Sequence, residues 1–287
     1  MRALILGAGG QVGRALAAAA PAGSEAIALG RSDCDVGDEA ALRSAIRSAR
    51  PDVVFNAAAY TAVDKAESEP EAALRLNGEA PGLIAAAARE AGARTVHVST
   101  DFVFGGAAEG PRRPRDPTRP EGVYARTKLE GEGAVSAADP EALIVRTAWV
   151  YAPAGANFVN TMLRLMAERD ELRVVADQVG TPTWAPSLAA ALWRLAGLRA
   201  VGLHHFTDSG VASWYDFAVA ILEEAREIGL LEAPCRIVPI ATADYPTPAK
   251  RPAWSVLDKS ATWALLGAAA PHWRVNLRAN LRELSNV

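Results

Sequence analysis

The chain has 287 residues, half of them hydrophobic, and a formal net charge of −3. This length suits one large α/β domain or two closely joined ones, and without a cationic excess we expect a small-molecule ligand and no nucleic acid. The apolar run at residues 1–10 ends in glycines and the alanine tracts are short, which predicts neither a signal peptide nor a membrane span. With only Cys34 and Cys235, in no metal-ligand spacing, we expect a cytoplasmic protein.

The first half of the chain alternates β-rich runs with helical patterns. Strands are predicted at RALILG (2–7), AIALG (26–30), DVVFNAA (52–58), RTVHVST (94–100) and ALIVRTAWV (142–150), with helices between the first four. Such alternation predicts parallel strands covered on both faces, an α/β fold with a Rossmann-type doubly wound parallel sheet. The Pro-, Gly- and Arg-rich segment 105–122 before Tyr124 is predicted to cross the surface, as lids do.

After residue 150 the alternation loosens. Helices are predicted at 157–169, 187–197 and 214–229, with a short strand at 171–178. We therefore predict an NAD(P)-binding domain at 1–150 and a smaller α/β substrate-binding lobe at 151–287, packed together with some crossing of the chain. His204 and His205 are interpreted as packing or surface residues.

The stretch GAGGQVG (7–13) follows the first strand and begins the first helix. Glycines in this place allow a tight turn, close approach to a pyrophosphate and close packing of helix on strand, although a plain glycine-rich turn has the same pattern. The predicted cofactor-binding residues here are Gly7, Gly10, Gln11, Val12 and Gly13.

The second strand ends in Gly30 and Arg31, where NAD-specific proteins usually have an acid. The Arg31 guanidinium could hold a 2′-phosphate, which favours NADPH without excluding NADH. An ordinary exposed arginine is the alternative. Asp35 and Val36 are assigned to the same cofactor site.

The next two strands also end in residues suited to a ligand. Ligands in open α/β sheets bind at the carboxyl ends of the strands, which places these residues in one crevice. The third strand leads into the cofactor-binding residues Ala57, Ala58, Ala59, Tyr60 and Thr61, and the fourth ends in Ser99, Thr100 and Asp101.

Tyr124 and Lys128 stand four residues apart at the start of the next predicted helix. This spacing puts both side chains on one face, where a lysine could lower the pKa of a tyrosine hydroxyl. A solvated helical face is the alternative.

The order of glycine loop, NAAA, Ser-Thr and Tyr-x-x-x-Lys resembles the extended short-chain dehydrogenases/reductases. The longer motifs AAYTAVDKAESEPEAA, VSTDFVF, YARTKLEGE, RTAWVYA, NFVNTMLRL, DQVGTPT and YPTPAKRPAWSVLD together resemble the dTDP-4-dehydrorhamnose reductase family, nearly from end to end. This resemblance implies an oxidoreductase that reduces a dTDP-linked 4-keto-6-deoxysugar with NADPH, and a homodimer as one arrangement of subunits.

The resemblance also implies residue roles. Tyr124 would be the general acid, Lys128 would lower its pKa and hold the nicotinamide ribose, and Thr100 would donate to the keto oxygen. Tyr124 and Lys128 are assigned to cofactor binding as well. The substrate-binding residues would be Thr100, Asp101, Trp149 and Val63. A turn residue at Asp101 and a core tryptophan at Trp149 are the alternatives.

The chain departs from the family pattern at several positions. Phe102 stands where many relatives have tyrosine, which removes a hydroxyl near the sugar. Where some relatives hold magnesium through three glutamates, this chain has Ala15, Pro186 and Glu283, so no metal site is expected.

Two other functions remain open. One is an epimerase or dehydratase of the same superfamily, although dehydratases have an acidic pair after the threonine and this chain has Asp101 and Phe102. The other is a non-catalytic regulatory subunit, as in a related branch that partners methionine adenosyltransferase. Intact Thr100, Tyr124 and Lys128 argue against it.

Overall fold

Twelve strands and eleven helices are present in the computed structural model, which describes residues 1–106, 108, 110–232 and 234–285. The strands are β1 (Arg2–Leu6), β2 (Glu25–Leu29), β3 (Val53–Asn56), β4 (Arg94–Thr100), β5 (Leu143–Thr147), β6 (Val150–Tyr151), β7 (Glu171–Val175), β8 (Val179–Gly180), β9 (Thr183–Trp184), β10 (Gly202–His205), β11 (Ala212–Ser213) and β12 (Arg236–Ile240). The helices are α1 (Gln11–Ala18), α2 (Glu39–Ala49), α3 (Val63–Ala66), α4 (Pro70–Leu74), α5 (Ala80–Glu90), α6 (Gly122–Ala138), α7 (Phe158–Glu168), α8 (Ala185–Gly197), α9 (Trp214–Glu227), α10 (Ser260–Leu266) and α11 (Trp273–Ser285), and a π-helical turn spans Arg75–Glu79.

Six strands form one parallel sheet in the order β10-β5-β4-β3-β1-β2. All four residues of β3 are buried, because helices cover both faces of the sheet and leave no side of a central strand in water. On one face α1 and α8 pack through Leu16, Leu188 and Leu192, and on the other α2 and α5 pack through Ile46 and Ile84. The predicted doubly wound fold is confirmed, with the strand order reversing between β1 and β3.

The sixth strand of this sheet comes from the second half of the chain. β10 pairs in parallel with β5, with His204 opposite Val145 and His205 opposite Arg146. His205 is fully buried and packs edge-on against Phe104, at 5.6 Å between ring centroids, whereas His204 is half-buried. The division of the chain into lobes at residue 150 stays a prediction, although α8 and β10 return to the first part.

Three helices of the second half of the chain form a second core. α7, α9 and α11 pack around Phe217, Met166 and Leu277, beside the parallel pair β7 and β12. Ser213 caps α9 by accepting from the Asp216 N–H at 3.0 Å, and the Asp216 carboxylate accepts from the Ser213 N–H at 2.8 Å. This reciprocal cap fixes where α9 begins, and therefore where its first residue points.

The segment 105–122 is fastened to the chain near residue 256. The Arg112 N–H donates to the Val256 carbonyl at 2.8 Å, and the Trp254 indole N–H donates to the Gly110 carbonyl at 3.0 Å. Ala107 and Glu109 of this segment lie outside the described residues. Its function as a lid stays a prediction.

Within the described part of the chain, none of the helices has the length and apolarity needed to cross a membrane.

Candidate active site

A cleft of about 690 Å³ lies at the carboxyl ends of β1, β3, β4 and β5. Most of the residues predicted for the site line it: Gly7, Gly10, Gln11, Val12, Arg31, Asp35, Val36, Ala57, Ala58, Ala59, Thr61, Val63, Thr100, Asp101, Tyr124, Lys128 and Trp149. Three predicted cofactor residues, Gly13, Gly30 and Tyr60, are not among its lining residues. The second half of the chain contributes Trp214 and Arg251, so both parts of the protein form the cleft.

The glycine loop is built so that backbone, and not side chains, faces the cleft. Gly7 has φ +83°, and a Cβ on it would lie 2.6 Å from the Ala58 nitrogen. A Cβ on Gly13 would lie 2.2 Å from the Gly7 carbonyl oxygen, so the lack of a side chain at Gly13 lets α1 pack closely on the loop. The N-terminus of α1 therefore opens into the cleft, an arrangement that fits the pyrophosphate of a dinucleotide.

In the segment after β2, the cleft is lined by side chains of both charges, Arg31 and Asp35. Arg31 is exposed, while the Gly30 N–H donates to the Asp33 carboxylate at 2.8 Å and shapes the turn. Asp35 accepts from the Gly37 N–H at 2.9 Å and pairs with Arg75 at 2.8 Å. The Gly37 N–H and the Arg75 cation lower the pKa of Asp35, so its carboxylate is ionised near neutral pH.

Tyr60 is held away from the cleft. Its hydroxyl donates to Glu69 at 2.7 Å, and the side chain of Asn77 pairs with both its backbone N–H and its carbonyl, at 2.8 and 3.0 Å. Asn77 is buried within the π-helical turn, a type of distortion that often occurs at functional sites. Tyr60 therefore helps to fix the course of the strand end that carries Ala57 to Ala59.

The polar groups at the end of β4 converge on Tyr124. The Thr100 hydroxyl donates to the Asp101 carboxylate at 3.1 Å, and Phe102 packs edge-on against the Tyr124 ring at 5.4 Å between centroids. Burial raises the pKa of Tyr124 to about 12, the neighbouring Thr100 hydroxyl opposes this shift, and the charge of Asp101 adds to it. Burial also raises the pKa of Asp101 to about 6, against hydrogen bonds from Ser255 and Thr100.

Lys128 is only 2% exposed and lies one helical turn beyond Tyr124 on α6. Its ammonium donates to the Val98 carbonyl at 2.8 Å. Burial lowers its pKa to about 8, and the charge of Glu132 opposes that shift. The resemblance implied a Tyr124 pKa lowered by Lys128, but the pKa of Tyr124 is raised, because the cost of burying a phenolate outweighs the polar contacts around it.

Ser99 has a structural partner. Its hydroxyl donates to Glu132 at 2.5 Å, and Glu132 accepts two hydrogen bonds from Arg146, at 2.8 and 2.6 Å. Glu132 and Arg146 are both buried, so the pair joins α6 to β5 directly behind the cleft. This network positions the helix that carries Tyr124 and Lys128.

Several residues that line the cleft were not predicted from the sequence, and Trp214 and Arg251 are the two from the second half of the chain that lie farthest from the glycine loop. Trp214 stacks on Trp149 with ring centroids 3.5 Å apart, and Arg251 pairs with Asp64 of α3 at 2.7 Å. Both stand far from the glycine loop in sequence, and nothing local distinguishes them from a core tryptophan or a surface arginine. The only sequence signal was the count of seven tryptophans in a chain with few other aromatic residues.

No cluster of three or more His, Cys, Asp or Glu residues suited to a metal ion occurs among the residues that the structure describes. Ala15 and Pro186, two of the three positions compared with magnesium ligands, lie in α1 and α8 and carry no ligating side chain.

Comparison with known proteins gives one consistent relationship. The family model described as the RmlD substrate binding domain matches residues 1–286. A dTDP-4-dehydrorhamnose reductase of Burkholderia thailandensis is 44% identical over 295 residues, covering 99% of both chains. The crystal structure of a dTDP-4-dehydrorhamnose reductase from Clostridium acetobutylicum superposes with a TM-score of 0.93 at 39% identity, over 99% of this chain and 100% of that one. A crystal structure of a Bacillus anthracis dTDP-4-dehydrorhamnose reductase in complex with NADP has a TM-score of 0.91 at 30% identity, and the match covers 98% of this chain and 99% of that one.

Proposed function

The chain belongs to the dTDP-4-dehydrorhamnose reductase family, that of the RmlD substrate binding domain, and from this we propose that it reduces the 4-keto group of dTDP-4-dehydro-6-deoxy-L-mannose to give dTDP-L-rhamnose. The observation that carries the proposal is the meeting of Thr100, Tyr124 and Lys128 in the cleft that begins at the glycine loop. A proton donor and a cofactor site must share one space for this reaction.

The bound nicotinamide supplies hydride to the keto carbon. Tyr124 gives its phenolic proton to the keto oxygen, so that hydride and proton together convert the ketone to an alcohol. A pKa of about 12 keeps Tyr124 protonated at neutral pH, as a general acid requires. The Thr100 hydroxyl, which donates to Asp101 in the structure, turns its one proton to the same keto oxygen when substrate binds and stabilises the negative charge that develops there.

Lys128 and the residues proposed to contact the sugar support the reaction at Tyr124. The buried ammonium of Lys128 stabilises the Tyr124 phenolate left after proton transfer and holds the nicotinamide ribose. Asp101, which lies beside Thr100, contacts the sugar together with Val63 and Trp149. Asp101 is followed by Phe102, which packs on Tyr124, so the position that is acidic in dehydratases is apolar here.

For the cofactor, we propose a preference for NADPH. Arg31 lines the cleft and is exposed. Its charge acts on Asp35, but Arg75 is the hydrogen-bonded partner of that carboxylate, which leaves the Arg31 guanidinium to bind a 2′-phosphate. The acid usual in NAD-specific proteins is missing after β2. NADH remains a second, weaker substrate in this proposal.

One assay tests the function directly. The protein is mixed with NADPH and dTDP-4-dehydro-6-deoxy-L-mannose, and the absorbance of the reduced nicotinamide is followed. Loss of absorbance together with formation of dTDP-L-rhamnose is expected. If neither NADPH nor NADH is consumed, the reductase function is wrong and a regulatory subunit becomes the better hypothesis.

A homodimer, which rests on the resemblance alone, and a cytoplasmic location, which rests on the two cysteines in no metal-ligand spacing, are further proposals. Light scattering on the purified protein tests the first, since a mass near 30 kDa would contradict a dimer.

A further inference from the structure

Three buried polar side chains form a row behind the cleft. Asn56 ends β3, His97 lies opposite it in the register of β4, and Lys128 of α6 lies on the other side of the His97 ring. The Asn56 amide nitrogen is 3.0 Å from His97 Nδ1, and His97 Nε2 is 3.5 Å from Lys128 Nζ. Asn56 is 1% exposed and His97 is 0% exposed, so no solvent competes for these contacts.

The backbone decides which nitrogen of His97 carries the proton. The Ala58 N–H donates to Asn56 Oδ1 at 3.1 Å, and a backbone N–H can only donate. The Asn56 NH₂ group must therefore face His97, and His97 Nδ1 must accept from it. The neutral ring then carries its proton on Nε2, which points at Lys128.

This tautomer matters for Lys128. An N–H group directed at an ammonium disfavours its charge, whereas a ring nitrogen with a free lone pair would stabilise it. The 3.5 Å separation is long for a hydrogen bond, and the ammonium instead donates to the Val98 carbonyl at 2.8 Å. Both ring and ammonium are buried, which also keeps His97 neutral, since burial and the Lys128 charge lower its pKa.

The other groups around Lys128 do not replace this effect. From its own helix, Glu132 favours the charged form, but Glu132 is shared with Arg146 of β5 through two hydrogen bonds. Tyr124 lies one turn before it on α6, and Asp101 at the end of β4 acts on Tyr124. Asn77 and Thr127, on the other side of α6, are uncharged.

We propose that His97 is a positioning residue of the reductase, held by Asn56 as the Nε2–H tautomer so that it directs Lys128 toward the Val98 carbonyl and weakens the hold of Lys128 on its proton. This inference rests on the proposed function. His97 does not line the cleft, so it acts on the reaction only through Lys128.

The first test needs no activity. In the ¹⁵N-labelled wild-type protein, the two ring nitrogens of a neutral histidine have different chemical shifts, and the chain has only four histidines to assign. His97 is expected as the neutral Nε2–H form from pH 6 to pH 9. An Nδ1–H tautomer, or a doubly protonated ring at pH 7, would overturn the proposal, whether or not the protein is a reductase.

The second test is the pH dependence of kcat at saturating NADPH and sugar nucleotide. Asn56→Asp leaves the ring in place but offers Nδ1 a carboxylate, which moves the ring proton to Nδ1 and lets Nε2 accept from Lys128. The alkaline limb of the profile should move up by about one pH unit, a tenfold change in proton affinity. His97→Asn keeps an acceptor for Asn56 and removes the Nε2–H. The alkaline limb of its kcat profile should therefore also move to higher pH, and its KM for NADPH should change less than about threefold.

His204→Asn is the matched control, because it makes the same chemical change at a half-buried histidine of β10 outside the cleft. Its profile should equal that of the wild type. Folded Asn56→Asp and His97→Asn variants with an unmoved limb would refute the proposal. A wild-type protein without reductase activity would refute the proposed function instead, and the NMR result would still decide the tautomer.

Discussion

The indole rings of Trp149 and Trp214 stack with their centroids 3.5 Å apart and their planes 6° from parallel. Trp149 follows β5 with a left-handed backbone, φ +48°, and Trp214 is the first residue of α9. A non-glycine residue in this conformation is strained by about 1 kcal/mol or more, so the stack and the surrounding contacts must offset that cost. This aromatic pair is therefore one of the contacts through which the two parts of the chain meet in the cleft.

Gly180 is the neighbour that leaves room for this pair. A Cβ at Gly180 would lie 2.7 Å from Trp149 Cε2, so Gly180→Ala must shift the indole. We expect kcat/KM for the sugar nucleotide to fall about tenfold to a hundredfold, the effect of an ångström-scale misplacement, with the Kd for NADPH unchanged. Gly133→Ala, in open space on α6, is the control and should leave kcat/KM unaltered. Equal kinetics in both variants would contradict a role for Trp149 in sugar binding.

Tyr124→Phe removes the proposed proton donor and keeps the ring that packs on Phe102. The variant should fold and bind NADPH as the wild type does but turn over at least about a hundredfold more slowly, the low end for loss of a positioned acid. Steady-state rates and cofactor titration by fluorescence measure the two effects separately. Turnover like that of the wild type would remove Tyr124 from the mechanism.

Arg31→Ala tests the preference for NADPH. Because a guanidinium contact to a phosphate is a charge-assisted hydrogen bond, the KM for NADPH should rise about tenfold and that for NADH should stay nearly constant. Arg43→Ala is a suitable control, since Arg43 is bound to Glu39 and Glu90 on α2 and α5 instead of lining the cleft. An equal rise for both cofactors would argue against the 2′-phosphate contact.

The pKa of Lys128 sets an expected limit on activity at high pH. Its pKa is lowered to about 8, so the ammonium is present below that pH and is lost as the pH rises through it. If the charge is needed to stabilise the Tyr124 phenolate, kcat should fall on the alkaline side of about pH 8. Lys128→Arg keeps its charge to much higher pH, so whatever activity it retains should lack this limb. If kcat of Lys128→Arg still falls above about pH 8, the decline belongs to the titration of another group.

The buried pair of Glu132 and Arg146 should matter mainly for stability. Arg146→Leu leaves the Glu132 carboxylate buried without its ion-pair partner, and the free energy of unfolding should fall by about 3 to 5 kcal/mol. Arg164→Leu breaks the exposed pair with Glu168 on α7 and should cost at most about 0.5 kcal/mol. Urea denaturation of both variants measures the difference. Similar losses would mean that the buried pair does not hold α6 on β5.

Local patterns in the sequence predicted a large share of the fold and of the candidate site. The strands β1 to β5 lie where apolar runs alternate with helical stretches, and the glycine loop, Thr100, Tyr124 and Lys128 line one cleft, because parallel strands bring their carboxyl ends together. The predicted strand at 142–150 ends early, at Thr147, since the chain bends at Trp149.

Other features depend on contacts between distant parts of the chain. Ser99 donates to Glu132 of α6, and the backbone of Tyr60 is held by Asn77 of the π-helical turn, so residues later in the chain decide how each is oriented. The pairing of β10 with β5 across some 60 residues could not be read from the short run GLHH.

The sequence by itself determined the family, the parallel sheet and the residue types available for reduction, because these follow from periodicity, glycine geometry and long ordered motifs. Only the tertiary structure decided the electrostatics of the site. Burial raises the pKa of Tyr124 and lowers that of Lys128, and the Ala58 N–H fixes the amide of Asn56 and, through it, the tautomer of His97. Burial and hydrogen-bond direction are properties of packed surroundings, and no local pattern of residues contains them.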